Sequence, residues 1–143
     1  MAETIHFFKT DVPFAIPGKR IMRRWLEASI RKEKRVPGSI NIIICSDKYL
    51  LKLNKKFLKK NTLTDIITFP MSENEQVVSG DLYISIERVR ENSKLFKQQT
   101  KKELARVILH GVLHLMGYDD QKAKDIQLIR KKEEEYLKKL ALW

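Results

Sequence analysis

Residues 110–120 read HGVLHLMGYDD and gather the side chains best suited to hold a metal. His110 and His114 are four apart, so on a helix both imidazoles reach one point, as zinc enzymes with two histidines on a helix require. Arg106 and Glu103 extend the same stripe toward the N-terminus, and Gly117 continues it. Most other positions from Leu104 to Met116 are apolar, the mark of a buried helix, and an imidazole at the edge of a core needs a polar partner. Gly117 is placed to take a left-handed conformation, end the helix and let Tyr118, Asp119 and Asp120 fold back over the pair. A carboxylate from that turn could close a three-ligand set and leave the fourth tetrahedral position open, which is the catalytic arrangement. The competing reading is a capped core helix with polar punctuation. Metalloprotease chemistry lacks its general base, because Gly111 stands where the glutamate would follow the first histidine. Glu103 is read as the far half of a capping box begun by Thr100 rather than as a base.

The elements that must position this helix follow from periodicity and turn chemistry. IHFF near residue 5 is a short first strand. KRIMRRWLEASIRKEKR (19–35) spaces Ile21, Trp25, Leu26 and Ile30 as one helical face beneath a basic outer face, with Pro37 and Gly38 stopping it. SINIIIC (39–45) is β-branched and reads as a buried strand. Ser46 or Asp47 caps a helix carrying Leu50, Leu51, Leu53, Phe57 and Leu58, ending near Asn61. DIITFP (65–70) and QVVSGDLYIS (76–85) are two further strands. A helix to about Lys97, the histidine helix from Thr100, and a charged helix from Lys122 to Leu142 complete the order. The fold class expected is α+β: one domain over 1–143, a mixed sheet of about four strands packed with about five helices, and the metal site on a central helix.

At 143 residues the chain is long enough to bury about two thirds of its unfolded surface in one core. No apolar run approaches the roughly 20 residues that span a bilayer, so no membrane partner is expected. The N-terminus lacks the pattern of a secretion signal, and the single Cys45 cannot form an intrachain disulfide; both fit a reducing cytoplasm. The 29 Lys and Arg against 18 Asp and Glu give a formal charge of +11 and a pI near 9.8. Such a field attracts polyanions, nucleic acid above all. The excess lies in residues 19–35, with eight bases and two acids, and in 48–60, with six Lys and no acid. Lys55, Lys56, Lys59 and Lys60 are the candidate RNA contacts, against the plainer reading of solvated helix charge.

Taken together these residues resemble the YbeY family of endoribonucleases, whose histidine helix reads H-G-x-L-H-L-x-G-Y-D-H. LNKKFLKKNTLTDIITFP (53–70) looks like that family's L-N-x-x-[YF] helix and T-[DN]-V-L-S-F-P strand, and SGDLYIS (79–85) like its G-D-I strand. The resemblance implies a metal-dependent endoribonuclease specific for single strands, acting in ribosomal RNA maturation at the 16S 3′ end and in ribosome quality control. RNA and the small ribosomal subunit are the implied partners, and one zinc ion per chain the implied cofactor. His110 and His114 are then ligands, and Asp120 stands at the third ligand's place, where the family has histidine. A carboxylate can complete such a site, though as a harder, charged ligand it alters metal preference. Asp119 is the alternative ligand.

A second departure is Leu58, where the family has an arginine thought to hold phosphate; Lys59 or Lys60 would have to substitute as point charges. Asp65 and Asp81 are possible helpers in proton transfer, or simply turn residues. The alternative function, which the missing arginine favours, is a non-catalytic ribosome- or RNA-binding assembly factor with a structural metal. A peptidase would need the base that the motif lacks.

Overall fold

A computed structural model describes residues 4–58, 64–72 and 74–140. In chain order these form β1 (Ile5–Lys9), α1 (Lys19–Lys32), β2 (Val36–Cys45), α2 (Asp47–Phe57), β3 (Ile66–Pro70), β4 (Val77–Ser85), α3 (Ile86–Leu95), α4 (Thr100–Leu115) and α5 (Ala123–Leu137). The strands make one mixed sheet in the order β1-β2-β4-β3; β1 and β4 run parallel to β2, and β3 pairs antiparallel at the edge. This is the α+β architecture expected, with four strands and five helices among the described residues. No helix among them is long and apolar enough to cross a membrane.

Alternation along the strands divides the core in two. Ile40, Ile42 and Ile44 of β2 with Leu82 and Ile84 of β4 face α1 and α4, whose Met22, Leu26, Ile30, Leu104, Ile108 and Val112 are fully buried. Each such side chain contributes about 1.5–3 kcal/mol through burial, so this face holds the histidine helix rigidly against the sheet. On the opposite face Cys45, Leu50 and Ile67 form a smaller cluster beneath α2. Burial there pushes the Cys45 thiol up to about 12, which keeps it an inert packing residue.

Several local expectations give way to packing. Helix α1 stops at Lys32, where Lys34 turns the chain at φ 62°, and Pro37 and Gly38 lie inside β2 instead of ending the helix. They sit at a register irregularity between Pro37 and Ile40, where a missing amide hydrogen bond is tolerated. Met22 takes the buried place expected for Ile21, which is 39% exposed. In α2, capped by Ser46 accepting from the Tyr49 amide, Leu50 and Asn54 are the buried positions, while Phe57 and Leu58 face outward. The helix closes at Phe57, and the expected end at Asn61 lies outside the described residues. Helix α3 stops at Leu95, short of Lys97, and α5 at Leu137; the expected end at Leu142 lies outside the described residues.

Candidate metal centre

The apolar faces of α4 go into the core and leave one polar stripe, Glu103, Arg106, His110 and His114, of which Arg106 and His110 bond Glu133 of α5. Gly111, next to His110, is buried against the sheet: a Cβ there would come within 2.5 Å of Ile66 Cδ1 and 3.0 Å of Leu82 Cδ2. A glutamate at this position would therefore enter the core rather than the site, which removes the peptidase reading on geometry as well as on sequence.

Past α4 the chain reverses as the residue types predict. Gly117 adopts φ 97°, its amide donates to the His114 carbonyl at 2.9 Å and the Tyr118 amide donates to the Leu113 carbonyl at 3.0 Å, the paired bonds of a Schellman end. The turn returns Asp120 to the helix it just left. Asp120 Oδ2 lies 3.3 Å from His110 Nε2 and 3.2 Å from His114 Nε2, and the two Nε2 atoms are 2.9 Å apart. These three residues form a group that could hold a metal ion. Asp119 does not join them: its Oδ1 accepts from the Asp120 amide at 2.8 Å and so shapes the turn.

The outer contacts decide what the inner atoms are. The Tyr118 carbonyl can only accept, so His114 Nδ1, 2.8 Å away, carries its ring proton. His110 Nδ1 likewise donates to Glu133 Oε2 at 2.6 Å. In the neutral rings both Nε2 atoms are then lone pairs, and with the Asp120 oxygen three acceptors converge with no donor among them. Such an arrangement repels itself unless a proton on one Nε2 or a metal cation lies between, and backbone or carboxylate partners on Nδ1 are the usual outer shell of a ligating histidine. The donor set therefore fits a metal. Glu133 is 5% exposed and also accepts from Arg106 at 3.3 Å. Burial works against a charged His110, yet the Glu133 hydrogen bond and the nearby Glu133, Asp120 and Asp65 charges outweigh it and raise its pKa.

Glu103 is not the far half of a capping box. Gln99 precedes the first turn without a side-chain cap, and Glu103, 3% exposed, turns to Arg106 with bonds of 2.9 and 2.6 Å. A carboxylate so buried requires a charged partner, and this outweighs a cap exposed to water. Of the two helper aspartates, Asp65 stands near Arg106 and His110, whose charges oppose the upward push of burial on its carboxyl. Asp81 points to the other face of the sheet and accepts from Asn41 at 3.0 Å. Lys55 and Lys56 are exposed on α2, across the sheet from α4; Lys59 and Lys60 lie outside the described residues. The cations beside the centre are instead Arg106 and the exposed Arg130, which line a pocket of about 240 Å³ with His110, Asp120 and Glu133.

Comparison with known proteins bears on this geometry. The family model described as Endoribonuclease YbeY matches residues 9–141. The chain belongs to the YbeY family. Among curated members, Endoribonuclease YbeY of Cytophaga hutchinsonii is 44% identical over 132 residues, covering 92% of each chain. That of Flavobacterium psychrophilum is 44% identical over 131 residues, covering 92% of this chain and 93% of the relative. The solution structure of TM1509 from Thermotoga maritima is similar with a TM-score of 0.68 at 29% identity, over 95% of this chain and 88% of that one.

Proposed function

We propose that this chain is a metal-dependent endoribonuclease that cleaves single-stranded RNA in the maturation of ribosomal RNA. Its working place is the cytoplasm, on RNA of the small ribosomal subunit, and its cofactor is one zinc ion. The observation that carries the reading is the convergence of three acceptor atoms, two Nε2 and one Oδ2, in a chain of an endoribonuclease family. His110, His114 and Asp120 hold the ion; when bound it supplies Lewis acidity toward a phosphoryl oxygen or a water. Glu133 and the Tyr118 carbonyl keep both rings in the Nδ1–H tautomer, so that each Nε2 lone pair faces the centre. Arg130 and Arg106 draw the phosphate backbone toward it, and Arg130, exposed at the pocket, is the group suited to grip a phosphate through two N–H bonds.

The assembly-factor alternative rests on Leu58, which caps α2 with no charge to offer. The guanidinium groups beside His110 weaken that objection, because the site does not lack cations. The deciding experiment incubates untagged protein with a single-stranded RNA as purified, after chelation, and after Zn²⁺ is restored. Cleavage is expected to disappear with the chelator and return with the ion. Equal cleavage in all three states means a contaminating nuclease, and metal-loaded protein that binds RNA without turnover means the assembly factor.

The lysines of α2 allow a separate test. Exchanging Lys55 and Lys56 together for alanine is expected to flatten the salt dependence of single-stranded RNA binding, by about 0.7 in log–log slope for each phosphate that is no longer neutralised. An unchanged slope takes α2 off the RNA path and leaves the Arg130 side as the binding surface.

A further inference from the structure

We infer that Glu33 is a positioning residue for the metal centre: through the Tyr118 hydroxyl it tethers the turn that carries the third ligand and orients His114. The inference rests on the metal reading above and extends it to a residue with no place in the histidine motif.

Tyr118 has two roles at once. Its carbonyl accepts from His114 Nδ1 at 2.8 Å, and its hydroxyl donates to Glu33 Oε1, in a residue 85 positions earlier. The carbonyl belongs to the main chain, so no side chain of the motif can replace it; His114 is aimed correctly only if Tyr118 itself is held. The Tyr118 amide ties the backbone of the turn to the Leu113 carbonyl and its ring packs on the core, while the bond to Glu33 is the one that fixes the Tyr118 hydroxyl to another helix. A Cβ at Gly117 would meet nothing within 4 Å, and the Asp120 amide is bound by its own neighbour Asp119. Glu33, by contrast, is firmly fixed. It closes α1, its amide reaching the carbonyls of Ser29 and Ile30 at 3.3 and 3.1 Å, and its side chain is 13% exposed. Its second oxygen accepts from the Tyr136 hydroxyl and from Lys132 Nζ, the latter at 3.2 Å. Burial works to protonate Glu33, but the bonds from Tyr118, Tyr136 and Lys132 prevail and hold its pKa below the ordinary carboxylate value, so it accepts at neutral pH.

Removing Glu33 itself would strip the buried Tyr136 hydroxyl of its acceptor, leave Lys132 only Glu135 and risk the fold, so the test uses the two hydroxyls on the same carboxylate. Tyr118→Phe and Tyr136→Phe each delete one O–H donated to Glu33, and Tyr136 is the more buried of the two. A purely structural carboxylate predicts that Tyr136→Phe does at least as much harm. A positioning role predicts that competition titration with a chromophoric chelator shows Zn²⁺ affinity about tenfold weaker in Tyr118→Phe and within about twofold of wild type in Tyr136→Phe. The ¹⁵N shifts of the His114 ring in metal-free protein give a second readout: an Nδ1–H tautomer in wild type and Tyr136→Phe, a mixture in Tyr118→Phe. Equal losses in the two variants, or an unaltered Tyr118→Phe in both measurements, overturn the inference. Wild-type protein that binds no Zn²⁺ overturns the metal reading instead, and the tautomer measurement still decides whether the tether exists.

Discussion

His114→Ala is expected to purify without metal and to cleave single-stranded RNA at no more than about one hundredth of the wild-type rate. Outer partners of a ligating histidine already cost about 10–100-fold in metal affinity or activity, and a direct donor must exceed them. Alanine leaves two acceptors where three converge, and a two-donor set does not hold zinc against water. Asp120→His supplies the contrast. Asp120 is 43% exposed at the end of an open turn, so a larger ring has room, and a third imidazole would complete a three-nitrogen set of the kind zinc accepts. That variant is expected to keep one metal per chain with preference moved from harder ions toward zinc. Elemental analysis beside an RNA cleavage assay reads both. A full equivalent of metal in His114→Ala would place the ion elsewhere and end the assignment.

How far the centre can be read from the chain depends on how local each interaction is. The histidine spacing, the apolar faces of α4 and the left-handed Gly117 are consequences of one or two turns of backbone, and residues 104–120 state them directly. The turn also brings Asp120, not Asp119, beside the two rings, while Asp119 Oδ1 accepts the next amide. Partners brought by packing leave no such trace. Glu133 lies 23 residues from His110 within a run of three glutamates on a charged helix, and nothing nearby distinguishes it from its solvated neighbours. Its one signal is phase: with Ile129 and Tyr136 it falls on the buried face of α5. Glu103 shows the same limit from the other side. Its spacing from Thr100 fits a capping box, but α5 covers that stretch of α4, and the buried charge takes Arg106 instead. Likewise Lys55 and Lys56 belong to a conspicuous basic run, yet the sheet stands between α2 and α4, and only the strand order reveals it.

Because Glu133 joins the metal centre to the fold, its loss is expected to act on both. In Glu133→Ala, His110 Nδ1 loses its acceptor and Arg106 keeps only Glu103, so one ring is free to turn and one guanidinium is half-paired. Leaving a partly buried charged group short of a partner costs about 1–3 kcal/mol, and Arg106, with a third of its side chain exposed, recovers some of that from water. A lowered urea midpoint with unchanged slope is therefore expected, together with a 10–100-fold loss of metal affinity. Glu133→Gln separates the two effects. Its amide oxygen still accepts from His110 Nδ1 and holds the tautomer, while its NH₂ meets the donors of Arg106. Metal affinity should return toward wild type while stability does not. If the two quantities instead fall together in both variants, Glu133 acts on the metal only through the fold, and the orientation of His110 must be set by α4 alone.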